Sequence, residues 1–597
     1  MQDSAFLGVS SSITGRRWKA RAVDERLALA HAQSFGLPEI VGRLLAARGI
    51  GLEEADRFLQ PTLRALLPDP SVLKDMDVAA DRIAKAIRDG EKVAAFGDYD
   101  VDGATSTALL ARFFRAVGSD LRVYIPDRIQ EGYGPNLPAL LKLKEEGVRL
   151  ILTVDCGVTA FDPIEKACEA GLEIIVVDHH KAEPRLPRCV AVVNPNRIDE
   201  PAAGPLSTLA AVGVSFLLIV AVNRALRAAG WYKDRPEPDL LRWLDIVALG
   251  TVCDVVPLVG LNRALVAQGL KLMGKRITPG INALADVAGV NDRMEAYHAG
   301  YILGPRVNAG GRVGSADLGT RILSTDDPAE AADLAKRLHE YNVERRAIEA
   351  ACLDEALAQV EAEVDACPEL VLAYADGWHP GVIGIVAARL KERFARPACV
   401  VALDGGLGKA SGRSVRGVDL GSAVIAARQA GLLVAGGGHA MAAGFTVERE
   451  KLDDLRTFLR ERIAVQIQDN GPLVPTLNLD GAIGVRGANP MLMEHLEKLS
   501  PFGTGNSEPR FAVTDARIVK ADVVGNAHVR CILTGADGAR LKAIAFRSLD
   551  GELGRALLQS GGMPLHLAGT LRPDRWNGNE GVQLFIDDAA PAGGRAG

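Results

Sequence analysis

A chain of 597 residues, 48% of them hydrophobic, holds material for about four packed domains. Its 69 Lys and Arg against 75 Asp and Glu leave a net charge of −6, which excludes a generic basic coat for nucleic acid and confines any such contact to local patches. The eight cysteines are scattered with no C-x-x-C pair, which excludes a disulfide framework or a cysteine zinc site, and no apolar leader surrounds Arg16 and Arg17, so the protein is expected to stay in the cytoplasm.

Residues 1–75 read as a helical brace, and Asp75 to Arg88 as an amphipathic helix leading into a first strand. That strand, Val93-Ala94-Ala95-Phe96, ends abruptly in Gly97-Asp98-Tyr99-Asp100-Val101-Asp102-Gly103. Three more apolar runs end the same way: Leu121–Ile125 in Pro126-Asp127-Arg128, Leu150–Val154 in Asp155-Cys156-Gly157, and Leu172–Val177 in Asp178-His179-His180. Helical patterns fill the gaps. The alternation predicts a doubly wound parallel sheet within an α/β domain over 76–325, and places Asp98, Asp100, Asp102, Asp155, His179 and His180 along one carboxyl edge.

Asp98, Asp100, Asp102 and Gly103 also fit the opening of a calcium loop, but Leu109 stands where that loop needs its bidentate Glu. A lone Asp after a strand is more often a turn or helix cap. Several on one edge are another matter, because two carboxylates about 4 Å apart repel by about 4 kcal/mol at a surface-like dielectric. Cations relieve that repulsion. Oxygen ligands with one or two imidazoles suit two Mn²⁺ or Mg²⁺ ions, which would clamp an in-line displacement at phosphorus, so phosphoester hydrolysis is the reading from residues alone.

Further along, residues 202–223 carry no charge, but Pro205, Ser207, Thr208, Gly213 and Ser215 interrupt them, and they read as a buried helix with no membrane span. The helical stretch Leu240–Val252 ends in Cys253-Asp254 shortly before Pro257, and Asp254 by itself reads as a turn residue. From Ala329 to Cys367 there is neither Gly nor Pro, and Ser324-Thr325-Asp326-Asp327-Pro328 supplies cap residues, predicting one long helix or two abutting ones over 326–367. A second α/β domain, 368–470, opens with Leu370–Tyr374 and contains Gly408-Lys409-Ala410-Ser411-Gly412-Arg413-Ser414-Val415-Arg416. This segment is not a Walker A loop, since Leu403 and Ala410 occupy two of its required positions, yet it reads as a basic turn able to cradle phosphate. Residues 471–597 alternate Val, Ile, Thr and Leu between turns such as Gly535–Gly538, the pattern of an oligonucleotide-binding (OB) barrel.

Gly97–Gly103, Asp155–Gly157, Asp178–His180 and Gly250–Pro257 resemble the four successive motifs of the DHH phosphoesterase superfamily. Gly304-Pro305-Arg306-Val307-Asn308-Ala309-Gly310-Gly311-Arg312, the Ser411/Arg413 segment, Gly437-Gly438-His439 and Pro501–Asn506 are similar to those of its RecJ branch, over a span from about Trp18 to Asp588. The resemblance implies a DHH domain and an α/β DHHA1 domain joined by a long helix, with a C-terminal OB-type barrel. It implies a single-strand-specific 5′ to 3′ DNA exonuclease of repair and recombination, releasing 5′-mononucleotides with two Mn²⁺ or Mg²⁺ ions. Asp100, Asp102, Asp155, His179 and Asp254 inherit the ligand role, with Asp98 or a water as substitute for a His that smaller members place where Phe96 stands here. The resemblance further implies His180 at the scissile phosphate with Asp178 orienting it. Arg306 and Arg312 are candidates for stabilising charge on phosphorus, and Arg128, Asn308, Ser411, Gly412, Arg413 and His439 for holding the strand. Single-stranded DNA is the implied partner, with a single-strand-binding protein and a RecQ-type helicase as candidate accessory proteins.

Overall fold

The computed structural model describes residues 5–127, 131–200, 203–291, 293–363, 369–470, 474–574 and 581–593. Its catalytic sheet consists of five parallel strands in the spatial order Leu121–Tyr124, Val93–Phe96, Leu150–Val154, Glu173–Val177, Ala191–Val193. The first four are the apolar runs that the sequence marks. The fifth, only three residues long, carries no distinctive pattern. Val93–Phe96 and Leu150–Val154 are buried throughout, as strands covered by helices on both faces must be. The chain first steps from the Val93 strand to one side, then returns to build on the other, so the order reverses between the Val93 and Leu150 strands. In such sheets the crevice beyond that reversal is where ligands bind.

The apolar stretch after residue 202 is the helix Ala211–Ala228, long and apolar enough to cross a membrane, but its Val214, Leu217, Leu218 and Val222 belong to the core shared with the sheet. A single helix of 36 residues, Pro328–Glu363, then leads away from the catalytic domain, spanning about 54 Å at 1.5 Å per residue; residues 364–368, where the expected helix ends, lie outside the described set. The second α/β domain is a five-stranded mixed sheet in which Val371–Asp376 and Ala398–Asp404 run parallel and Leu407–Arg413, Ala442–Glu448 and Ala435–His439 follow antiparallel. The expected basic turn around Ser411 is thus largely a strand, paired on both sides. Alternating burial of Gly408, Ala410 and Gly412 against its neighbours explains why small residues stand there.

Strands Arg510–Val524, His528–Thr534, Arg540–Ala545, Gly581–Pro591 and Pro564–Asp574 pair in that order, and the last pairs back to the first, closing a five-stranded barrel. The N-terminal residues join it. Arg17–Ala20 runs parallel to Thr476–Leu479, the Trp18 indole N–H donates to Asp588 at 2.9 Å in the interior, and Val41, Leu44, Leu45 and Phe58 enter the barrel's own core. The expected brace is therefore divided: its part up to Phe58 belongs to the barrel side, while Leu63, Leu67 and Leu73 pack on the core of the first α/β domain.

One side chain fastens that side to the catalytic domain. Arg263 is 1% exposed, stacks on Phe58 at 3.9 Å, and donates to the backbone carbonyls of Phe58, Lys498, Leu499, Ser500 and Pro501. Burial, and then the neighbouring Arg48, pull its pKa down to about 9, so it stays charged at neutral pH with carbonyl dipoles as its counter-charge. Arg263→Met would keep the apolar stem and leave these carbonyls unsatisfied, at about 1–3 kcal/mol for each that water cannot reach. We expect a loss of about 3 kcal/mol, read as a lower urea midpoint by tryptophan fluorescence; an unchanged midpoint would show that the junction holds without this residue.

Candidate metal centre

Each strand end delivers its carboxylate by a local device. Asp98 is buried directly past the Val93 strand, and the chain passes so close that a Cβ on Gly103 would sit 2.7 Å from the Asp98 backbone N and O, so only glycine fits. Asp100 caps the helix Val101–Ala116, accepting from the amides of Asp102 and Gly103. Asp102 meets a second helix start, its two oxygens accepting from the Ala211 and Val212 amides at 2.6 and 2.9 Å. Two helix N-termini thus face the edge and favour negative charge there. Asp155 follows its strand at φ 61°, and Val255, next to Asp254, stands at φ 62°. Left-handed backbone at non-glycine residues costs of order 1–3 kcal/mol each and clusters at functional sites.

These elements bring together three overlapping groups: Asp98, Asp100 and Asp155; Asp155, His179 and His180; and Asp102, His179 and Asp254. Within each, the ligand atoms lie no more than 4.8 Å apart. His179 Nε2 is 3.3 Å from Asp155 and 3.8 Å from Asp102, and its Nδ1 is 3.7 Å from Asp254. Nδ1 also lies 3.1 Å from the Leu209 carbonyl, an acceptor only, so Nδ1 carries the proton and the Nε2 lone pair faces the carboxylates. Asp178 stands behind. One oxygen accepts from the His179 and His180 amides and from His180 Nδ1 at 2.7 Å; the other accepts from the Val158 amide.

Crowding shows in the protonation equilibria. Burial first, and then the neighbouring carboxylates, push Asp102 and Asp155 well above the usual range, and burial with Asp100 lifts Asp254 to about 7. Burial and His180 lower His179. Burial also pushes Asp178 up and His180 down, but their mutual hydrogen bond and the amides outweigh it, leaving Asp178 lowered and His180 raised.

Asp155 Oδ1, His179 Nε2 and Asp254 Oδ2 are buried and make no hydrogen bond. A buried acceptor left unmade is expensive, and all three belong to these groups, where cations would satisfy them. Carboxylate oxygens joined by no more than two imidazoles in any group fit Mn²⁺ or Mg²⁺. Phe96 is fully buried and stacked on Tyr124, so it offers nothing to the site, and the group lacking an imidazole is the one containing Asp98.

The other residues singled out in sequence lie around this centre. Helix Gly304–Val313 packs so closely on the Asp98–Asp100 loop that a Cβ on Gly311 would approach the Tyr99 carbonyl to 2.9 Å. On it Asn308 and Arg312, four residues apart, share a face; Arg312 donates to the Gly381 carbonyl of the second α/β domain at 2.6 Å, and Arg306 to the Ile302 carbonyl and to His339. Arg413 donates to Ser411 Oγ at 3.0 Å and to the Gly412 carbonyl, and both side chains lie against Gly384 in the first turn of the helix Ile383–Phe394. His439 pairs across Ala442, which pairs in turn with Arg413, so the two occupy one end of that sheet, about 10 Å apart by strand spacing. Arg128 lies outside the described residues.

Two residues escaped the sequence reading. Tyr133 donates its hydroxyl to the Asp155 carbonyl at 2.9 Å and sets its ring edge-on to His180; its only signal is the flanking Gly132 and Gly134, both left-handed. Asn262, buried, donates to the Thr208 and Pro257 carbonyls at 2.6 and 3.0 Å, tying the segment that orients His179 to the turn that carries Asp254.

Three family models match in succession: the DHH family N-terminal domain over residues 92–251, the DHHA1 domain over 368–465 and the RecJ OB domain over 479–588. The single-stranded-DNA-specific exonuclease RecJ of Bacillus subtilis is 35% identical, over 96% of this chain and 71% of the relative. The crystal structure of RecJ in complex with Mn²⁺ from Thermus thermophilus aligns with TM-score 0.79 at 30% identity, over 97% of this chain and 81% of that one. The Mg²⁺ complex from the same organism aligns with TM-score 0.73 at 29% identity, over 97% and 79%. Matching domain order, near-complete coverage and a carboxylate–imidazole centre at the sheet edge agree, and the chain belongs to the RecJ family of single-stranded-DNA-specific exonucleases.

Proposed function

We propose that this chain removes nucleotides from the 5′ end of single-stranded DNA by metal-dependent phosphodiester hydrolysis, with two Mn²⁺ or Mg²⁺ ions held by Asp98, Asp100, Asp102, Asp155, His179 and Asp254. The observation that carries the reading is that Asp155 and His179 each belong to two of the three overlapping groups, as residues shared between two cations would. When bound, the ions supply Lewis acidity at phosphorus, activation of water and charge balance for the carboxylates.

The chain's own residues do the rest. Asp178, ionised and held by amides, accepts from His180 Nδ1–H and raises the ring's affinity for a second proton; in its protonated form His180 presents Nε2–H outward, where it hydrogen-bonds a phosphoryl oxygen, its imidazole being half exposed at 49%. Water's oxygen forms the new bond to phosphorus, the bond to the 3′ oxygen breaks, and a proton passes to that oxygen as the nucleotide leaves. Arg306 and Arg312, with Asn308 on the same helix, are assigned to stabilise the charge that develops on phosphorus. The Arg312 bond to Gly381 supports a shared task, because it fixes the second α/β domain relative to the centre. A free single-stranded 5′ end is what a RecQ-type helicase and a single-strand-binding protein would present. Seven cysteines among the described residues are free thiols, which suits the cytoplasm.

End-labelled single-stranded DNA digested with Mn²⁺ tests the activity. Asp155→Ala is expected to retain less than about 1% of cleavage with strand binding largely intact, since it removes a ligand shared between groups. Near-normal cleavage at saturating Mn²⁺ would refute the assignment.

Polarity rests on the second domain. A terminal phosphate monoester carries about one more negative charge than an internal diester near neutral pH. Ser411, Gly412 and Arg413 beside the N-terminus of the helix Ile383–Phe394 offer a hydroxyl, a guanidinium and helix amides to that charge, with His439 at the same end of the sheet. Arg413→Ala and Ser411→Ala should therefore reduce the preference for 5′-phosphorylated over 5′-hydroxyl ends, about tenfold or more for Arg413→Ala, from a loss of about 1.5–3 kcal/mol. An unchanged ratio of kcat/KM on the two end types would remove this segment from end recognition.

A further inference from the structure

The Pro501–Asn506 segment on the barrel side lies against the turn that carries Asp254. Leu258 donates its backbone N–H to the Thr504 carbonyl at 2.7 Å. A Cβ on Gly505 would meet the Pro257 Cβ at 2.9 Å, and one on Gly503 would meet a Leu258 methyl at 2.7 Å, so the two backbones run in direct contact. Between Asp254 and this anchor stands Val255, a β-branched residue in the left-handed region at φ 62°. Its side chain is 65% exposed, so its own packing does not hold it there.

The constraint acts from the far end of the turn. Leu258 is buried in a core with Val101 and Leu249, Asn262 grips the Pro257 carbonyl from within the catalytic domain, and Thr504 closes the turn from the barrel side. The barrel-side loop is itself rigidly held: buried Asn506 donates to the Leu499 and Pro501 carbonyls and accepts from Arg48 Nε, and Arg263 grips the carbonyls just before it. A strained residue beside a carboxylate keeps its conformation only when its surroundings over-determine it. Here part of those surroundings belongs to another domain.

We infer that the Phe502–Asn506 loop is a positioning element for Asp254: the seating of the barrel fixes the Asp254–Leu258 turn and thereby sets the affinity of the cation held with Asp102 and His179. This rests on the reading of that group as a metal site. Coupling of this kind is reciprocal, so occupation of the metal centre also tightens the barrel's seat. The loop touches no ligand atom, and its part resembles that of the outer hydrogen bonds that aim metal ligands, whose loss costs about 10–100-fold in affinity.

The test is Mn²⁺ binding by the full chain, followed by the loss of the free-ion electron paramagnetic resonance signal, in wild type, Gly505→Val and Thr504→Ala. Gly505→Val forces the loop off Pro257, whereas Thr504→Ala keeps the backbone carbonyl and serves as the matched control. We expect wild type and Thr504→Ala to bind two ions alike, and Gly505→Val to bind one of them about tenfold or more weakly, with circular dichroism unchanged. Asn506→Ala, which loosens the loop without touching the turn, should weaken the same ion, and it keeps the inference testable if Gly505→Val does not fold. Wild-type affinities for both ions in the folded loop variants, or an equal loss in Thr504→Ala, would overturn the inference. Wild type binding no Mn²⁺ would instead defeat the reading of the metal centre on which it rests.

Discussion

Repulsion among carboxylates governs this molecule. Asp98, Asp100, Asp102, Asp155 and Asp254 come from three separate stretches of chain and are brought to one sheet edge, where the His179 imidazole lies 3.3–3.8 Å from Asp155, Asp102 and Asp254. Packed this closely, and mostly buried, they would push one another toward protonation, as the raised Asp102, Asp155 and Asp254 show. Two devices offset the cost from within the chain: helix starts at Val101 and Ala211 donate amides to Asp100 and Asp102, and strained backbone at Asp155 and Val255 is tolerated. The remainder is a charge deficit that divalent cations fill.

Holding such a site together demands a frame stiffer than one sheet supplies. The Asp254 turn is clamped between Asn262 on the catalytic side and Thr504 on the barrel side, and Arg263 welds that barrel-side loop and Phe58 to the catalytic domain. The second α/β domain reaches the centre through the Gly381–Arg312 bond and the long helix. Each outlying domain therefore contributes rigidity near the reacting groups as well as binding surface.

Much of this was legible in the sequence because its strongest signals are local. Buried parallel strands announce themselves as short apolar runs, and their termination in Asp is visible whatever they pack against, so Asp98, Asp155 and Asp178 could be placed on one edge without coordinates. Asp254 could not: it ends a helix, where an acidic residue is ordinary, and its part emerged only from the resemblance and from its distance to His179. The Ser411–Arg413 segment reads as a basic turn because Gly, Ser, Lys and Arg are ordinary turn residues, whereas Gly408 and Gly412 leave room for Val401, Leu403, Leu420 and Cys399 packed against a strand. Asn262, Tyr133 and Arg263 act by long-range hydrogen bonds to backbone carbonyls, which no periodicity or motif records.

The most direct measurement of the central claim is the thermal stability of the protein against pH, stripped of metal and then with saturating Mn²⁺. Asp102, Asp155 and Asp254 bind protons more tightly folded than unfolded, so their stabilising contribution is full below about pH 4 and is lost as pH rises, for Asp254 through about 7. His179, held below its ordinary value, works the other way, but as one group against three. Metal-free protein should therefore lose stability between about pH 5 and about pH 8, and Mn²⁺, which takes the place of those protons, should raise Tm by an amount that grows with pH across that range. A Tm that Mn²⁺ leaves unchanged, or raises equally at all pH values, would contradict the account.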